Sequence, residues 1–233
     1  MTAKAVTWAV IVAGGQGTRF GSYKQFAPLG GRSVADWSLD VAATSCDGVV
    51  LVVPEGLLPV YRTRAERVVC GGVSRPASVR AGIAAVPRDA AVIVVHDAAR
   101  PLASEHLWHA VVSAVLDGAE AAVPCVPVTD TVKQRSDDGR LLTLDRTRLL
   151  LAQTPQAFQA ARLRAAHASN AEASDDAALV EALGGHVVVV PGEGTNMKLT
   201  GPLDLAAAEA LLSLLRPHNT RGEEPRPGAG SVP

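Results

Sequence analysis

The sequence predicts an α/β fold: a three-layer α/β/α sandwich on a mainly parallel sheet. Three observations carry this. Short, near-continuously apolar β-branched runs recur along the chain, as expected of strands covered on both faces. Amphipathic stretches with helix-capping residues separate them. Glycine-rich or charged clusters follow several runs, where open parallel sheets hold their ligands.

In chain order, residues 8–12 (Trp8-Ala9-Val10-Ile11-Val12) read as a buried first strand. It runs into Ala13-Gly14-Gly15-Gln16-Gly17-Thr18-Arg19-Phe20-Gly21, with Lys24-Gln25 close behind. Backbone N–H groups in such a loop cradle anions, and Arg19 and Lys24 add positive charge. The spacing is neither a P-loop, which needs Lys-Ser or Lys-Thr after the glycines, nor G-x-G-x-x-G, since Gly21 falls one residue late. A tight turn without a ligand is the alternative, and the two basic residues favour phosphate. Ser33 is placed to cap a helix running to about Ala43. Residues 49–53 and 68–70 read as the next strands. Gly71-Gly72 then gives close backbone approach, and Ser74 or Pro76 opens a helix ending at Ala85. Ser78 on that segment is placed to bond a base edge; the alternative makes Ser74 only a helix cap and Gly71-Gly72 only a turn.

Residues 91–95 form a strand leading to His96-Asp97-Ala98-Ala99-Arg100-Pro101. Asp97 at a strand end suits Mg²⁺ or ribose; the structural alternative is that Asp97 and Arg100 pair with each other or cap the following helix. His96 is read as a hydrogen-bonded structural residue. Ser104 caps a helix with Trp108, Val111, Val112 and Val115 on its apolar face. Residues 121–126 and 187–190 are further strands, and 203–215 a last helix. Between them, Asp138-Gly139 signals a hairpin over about 130–146, an arm projecting from the core or a surface flap. Three polar clusters remain, 127–133, 145–156 and 195–198, each open to reading as a solvated turn. Residues 217–233 are rich in Pro, Gly and charge without apolar periodicity, so a disordered tail is expected.

The bulk figures narrow the function. With 233 residues, 48% of them hydrophobic, the chain can bury a substantial core. A formal net charge of −1 argues against bulk binding to nucleic acid. Cys46, Cys70 and Cys125 are widely spaced, so reduced, buried thiols are expected rather than a metal site. Neither a signal pattern nor a bilayer-length apolar run occurs, which points to a soluble, cytoplasmic protein without membrane contact. No Ser/His/Asp or Cys/His arrangement stands out, whereas Arg19, Lys24, Arg146 and Lys198 accompany strand edges or loops.

Seven stretches together resemble the 2-C-methyl-D-erythritol 4-phosphate cytidylyltransferase family: AGGQGTRFG with KQF, GGVSRPASV, HDAARP, PVTDTVK, DRTRLLLAQTPQAF, SDDAALVE and TNMKLTGPLDL. They occur in the family's order and span nearly all of residues 7–212. The resemblance implies a Rossmann-like sheet of the nucleotidyltransferase type within residues 1–216. It implies CMP transfer from CTP to 2-C-methyl-D-erythritol 4-phosphate, with Mg²⁺, in a homodimer completed by the hairpin arm. Ala13, Gly14, Gly15 and Gly17 would line the triphosphate loop. Arg19, Lys24, Arg146 and Lys198 would be the catalytic cations. Gly72 and Ser78 would read cytosine, with Arg75 nearby; Asp97, beside Ala98 and Arg100, would meet ribose and metal. Asp130, Thr131, Arg146, Thr154, Ser174 and Lys198 would hold the polyol phosphate.

Three positions depart from the family pattern. Gly14 stands where Ala is usual, Tyr23 where Pro precedes the lysine, and Ser174 where Thr is usual. They bear on which polyol phosphate is used more than on the reaction type. A related cytidylyltransferase acting on ribitol 5-phosphate also favours AGG at the loop; HDAARP and GGVSRPASV fit the first family better. A non-catalytic nucleotide-binding protein is the reading from another class, and retention of the paired basic residues argues against it.

Overall fold

The structure is a computed structural model that describes residues 5–14, 23–61, 65–168, 173 and 175–215. Gly15, Gly17, Arg19, Ser174 and the 217–233 tail lie outside the described residues. The N-terminal half comprises β1 (Thr7–Val12), the small hairpin β2 (Pro28–Leu29) and β3 (Arg32–Ser33), α1 (Val34–Ser45), β4 (Gly48–Val53), β5 (Arg67–Cys70), α2 (Arg75–Ala85), β6 (Val92–Asp97) and α3 (Glu105–Leu116). Then follow β7 (Ala121–Pro127), β8 (Lys133–Arg135), β9 (Leu141–Thr143), β10 (Leu150–Ala152), β11 (Gln156–Gln159), α4 (Ala160–Ala168), α5 (Asp176–Ala182), β12 (Val187–Pro191) and α6 (Pro202–Leu215).

Eight strands form one mixed, mainly parallel sheet. β1 is flanked in parallel by β4 and β6, and β5 lies parallel beyond β4. β11 lies antiparallel between β6 and β7, and β7 also carries β10 antiparallel and β12 parallel. Side-chain alternation divides the core in two. Ala9 and Ile11 face the cluster under α1 and α3, with Leu39, Leu107 and Trp108. Val10 faces the opposite cluster, with Val79 and Ile83 of α2 and Leu163 of α4. The fully buried Val10, Ile11, Val79 and Leu163 side chains each contribute about 1.5–3 kcal/mol.

Helix starts follow the capping chemistry read from sequence. The Ser33 side chain accepts from Asp36 N while Asp36 reaches back to Ser33 N, a reciprocal capping box. Ser74 and Ser104 accept from the third residue of α2 and α3. A Cβ at Gly82 would stand 2.4 Å from Val10 Cγ1, so its absence lets α2 lie close on β1.

Three expectations are corrected. β6 extends through His96 and Asp97, so both belong to the strand's end rather than to a loop after it. The segment after residue 152 is not a solvated turn: β11 inserts into the centre of the sheet, with Ala157 and Phe158 fully buried. Its two glutamines mask it in the sequence, but buried Gln156 donates to Gln153 O and Asp175 Oδ2. Two helices, α4 and α5, come in addition to those expected; their Ala-rich faces carry weak periodicity. The expected hairpin is present as β8–β9, turning at Gly139 with φ +85°, and every residue of both strands is exposed. Among the described residues no helix is long and apolar enough to cross a membrane.

Candidate active site

Three strand ends meet at one edge of the sheet. Gly14 follows β1, Gly71-Gly72 follows β5, and Asp97 closes β6. Between them lies a cavity of about 240 Å³, bounded by Ala13, Gly14, Lys24, Gly72, Arg75 and Lys198. The two glycine loops are in contact: a Cβ on Gly71 would stand 3.4 Å from Gly14 Cα and 2.8 Å from Ser78 Oγ. Gly14 approaches the same hydroxyl, its Cβ position lying 3.0 Å from it. An alanine here, usual in the resembled family, would therefore press on Ser78.

Ser78 lines this cavity, and the turn also holds its side chain. Its hydroxyl is buried, donates to Ser74 O at 3.0 Å and accepts from Gly72 N at 3.1 Å. It clips the glycine turn to the start of α2, and its single proton is already used, as is the Gly72 N–H.

Asp97 is the acidic centre. Arg75 Nε lies 3.0 Å from Oδ1 and Lys198 Nζ 2.6 Å from Oδ2. Burial alone would raise its pKa, but Arg75 and then Lys198 reverse the sign and hold the carboxyl well below the usual range. Arg100 does not pair with Asp97, contrary to one expectation; it donates to Asn196 O at 2.7 Å and Ala152 O at 3.3 Å. Ala98 is buried beneath the cluster. Among the described residues no group of three acidic, His or Cys side chains could cage a metal.

His96 has the structural role expected of it. It is fully buried, and Thr154 Oγ1 lies 3.2 Å from Nδ1. That hydroxyl also accepts the Asp97 N–H at 3.0 Å. Arg100 O lies 3.2 Å from His96 Nε2. Ser38 Oγ lies equally close to Nε2, at 3.2 Å, so both ring nitrogens have partners. Burial pushes this imidazole down to about 4.

Lys24 reaches the cavity from a 3₁₀ turn, Lys24–Phe26, and its Nζ donates to Leu199 O at 2.7 Å. Chain segments 175 residues apart thus bring Lys24 and Lys198 to one cavity. Across the Arg75–Asp97–Lys198 cluster a second cavity opens, also about 240 Å³, lined by Arg100, Gln153, Thr154, Gln156 and Asp175. Gln153 and Gln156 fall in a polar stretch noted in the sequence, but neither they nor Asp175 are given a site role there. Their signal is position: they flank Thr154 and Ser174.

Arg146, Asp130 and Thr131 do not join this cluster. Arg146 sits in an exposed turn, Arg146–Arg148, at the base of the arm and donates to Thr129 O. Among the described residues of one chain, the expected convergence of four cations is reduced to Lys24 and Lys198. Arg19 lies outside the described residues. Arg146 is carried on an element that leaves the core, which accounts for its separation.

A family model described as IspD, 2-C-methyl-D-erythritol 4-phosphate cytidylyltransferase, matches residues 7–214. An enzyme of that name from Nocardia farcinica is 44% identical over 216 residues, covering 88% of this chain and 93% of that protein. A bifunctional IspD/IspF enzyme from Anaeromyxobacter dehalogenans is 47% identical over 223 residues, covering 87% of this chain. The chain spans 56% of that longer relative. The crystal structure of 2-C-methyl-D-erythritol 4-phosphate cytidylyltransferase from Thermus thermophilus superposes with TM-score 0.77 at 36% identity, covering 88% of this chain and 98% of that one.

Proposed function

The chain belongs to the 2-C-methyl-D-erythritol 4-phosphate cytidylyltransferase family, and from that premise we propose that it transfers CMP from CTP to 2-C-methyl-D-erythritol 4-phosphate and releases pyrophosphate. The observation that carries the reading is the meeting of Lys24 and Lys198 at one cavity, beside Gly14 and Gly71, which pack so closely that a Cβ on Gly71 would lie 3.4 Å from Gly14 Cα.

In this reading CTP occupies the opening between the glycine loops. The polyol phosphate lies on the Thr154 side. An oxygen of its phosphate attacks the α-phosphorus, the bond from α-phosphorus to the β-bridging oxygen breaks, and pyrophosphate takes the electron pair. That nucleophile is ionised at neutral pH, so no side chain need remove a proton. The barrier is the meeting of two anions, and fixed cations lower it by placing charge where it develops. Lys24, with Arg19, faces the triphosphate; Lys198 holds the acceptor phosphate. Asp97 keeps Lys198 and Arg75 oriented before substrate arrives.

Mg²⁺ fits only as a shared ion. Both Asp97 oxygens already hold cations, and the described residues offer no cage. Asp97 is the residue that would help hold a Mg²⁺, and the ion would neutralise charge on CTP.

The exposed arm and its Arg146, Thr131 and Asp130 fit a homodimer in which each arm completes the partner's acceptor site. Residues 1–216 are the catalytic unit, and the cytoplasm is the compartment. The deciding assay gives purified protein CTP, Mg²⁺ and either methylerythritol phosphate or ribitol 5-phosphate. Pyrophosphate release with the first at much higher kcat/KM is expected. Preference for ribitol 5-phosphate rejects the acceptor; no release with any sugar phosphate rejects the reaction.

A further inference from the structure

Two ionisable side chains lie behind the site, buried and unused by the chemistry above. His167 on α4 is 4% exposed and Asp176, in the first turn of α5, is 1% exposed. His167 Nε2 lies 3.0 Å from Asp176 Oδ1. A carboxylate only accepts, so Nε2 carries the proton. Asp176 Oδ2 stands 2.9 Å from Arg75 Nη1, close enough for an ion pair though out of line for a hydrogen bond. From Arg75 the line continues to Asp97 and Lys198. Five side chains of alternating character therefore run from beneath the helix layer to the cavity wall.

A hydrophobic pair would fill the interface of α4 and α5 at lower desolvation cost. A buried carboxylate there has a use if something must be held by it. Arg75 is that group: its guanidinium is pinned between Asp176 behind and Asp97 in front. Pinning matters because Asp97 has two cationic partners, one of which has another task. When Lys198 turns to a phosphate, Asp97 keeps its charge compensated only through Arg75. A loose Arg75 leaves Lys198 tied to Asp97.

We propose that Asp176 and His167 are positioning residues that clamp Arg75 onto Asp97 and so release Lys198 to bind the incoming phosphate. This rests on the reading of Lys198 as the acceptor-phosphate cation.

A double-mutant cycle tests it on the full chain, with wild-type turnover of CTP and methylerythritol phosphate as the control on the reaction itself. Asp176→Asn is expected to raise the acceptor KM about 10-fold, the scale of one charge-assisted contact. In a Lys198→Ala background the same change is expected to shift it by less than about 2-fold, because a contact acting through Lys198 has nothing left to act on. Equal factors in both backgrounds would overturn the clamp, because a general loss of structure multiplies. His167 gives an independent arm: His167→Gln retains an N–H for Asp176 and is expected to keep near wild-type KM, whereas His167→Leu raises it. Identical behaviour of those two folded variants also overturns the proposal. If Asp176→Asn does not fold, the His167→Leu and Lys198→Ala pair is run as the cycle. Should the wild type lack turnover, the reading of the reaction fails separately. The same cycle then runs on calorimetric binding of inorganic phosphate, with the same non-additivity expected and additivity overturning it.

Discussion

At the scale of single residues, charge near strand ends was legible and the use of each hydrogen-bonding group was not. Lys24 and Lys198 stood out because an α/β sheet places its ligands where they fall, and both do line the cavity. Lys24→Ala and Lys198→Ala should each lower kcat/KM on the order of 100-fold, since each removes a preorganised cation. Near wild-type steady-state rates in either variant would remove that role. For Ser78 the sequence shows a hydroxyl but not its partners; the turn uses its proton and one of its two lone pairs. His96 makes a second prediction. Its folded pKa is lowered to about 4 by burial, against 6.5 for the free side chain. Below about pH 6.5 the unfolded chain takes up a proton that the folded one refuses, so stability falls as pH drops from 6.5 toward 4. By pH 4.5 this group should cost about 2–3 kcal/mol. The depressed Asp97 contributes stability above its ordinary pKa, and this is lost only as pH falls further. Urea unfolding at pH 7 and 4.5 should show a smaller pH loss in His96→Gln than in wild type. An equal loss in both proteins would show that His96 does not titrate this way.

At the scale of elements, legibility tracked apolar periodicity and capping. Strand 48–53 is an unbroken apolar run, strands 7–12 and 92–97 are apolar runs with Thr7 or His96-Asp97 at one end, and α1, α2 and α3 start at serines that do cap them. β11 escaped because a four-residue strand containing two glutamines has no apolar alternation, and both amide nitrogens find acceptors in the fold, Gln156 at Gln153 O and Asp175 and Gln159 at Ala119 O. The interface of α2 with β1 was invisible for another reason: a glycine inside a helix signals nothing until its neighbour is known. Gly82→Val should therefore destabilise the protein by about 1–3 kcal/mol or more, the cost of overpacking a filled core. Its missing Cβ space is held by Val10 at 2.4 Å. Chemical denaturation of Gly82→Val beside Val10→Ala/Gly82→Val separates the causes: partial recovery in the double variant is expected from overpacking, and none from a propensity effect alone.

At the scale of the whole molecule, the described part of a single chain brings together two of the four cations named from sequence, and that incompleteness is itself informative. Arg146 stands on an exposed turn beside a hairpin whose Leu141 and Leu142 are 67% and 62% exposed. Sequence could locate the arm through Asp138-Gly139, but what the arm meets is not encoded in periodicity. If it completes a neighbour's acceptor site, the two halves of the site can be damaged on different chains. Arg146→Ala and Lys24→Ala homodimers should each be nearly inactive. Mixed after dissociation and reassociation, one subunit of a heterodimer would carry both lesions at one site and leave the other site intact. With random pairing, about half the dimers are mixed and each holds one whole site, so about a quarter of wild-type activity should return, provided the arm's cation acts across the interface by the same electrostatic stabilisation as the local ones. No recovery on mixing, with dimers confirmed by sedimentation, would place Arg146 in its own subunit's site; a monomer at assay concentration would remove the shared site altogether.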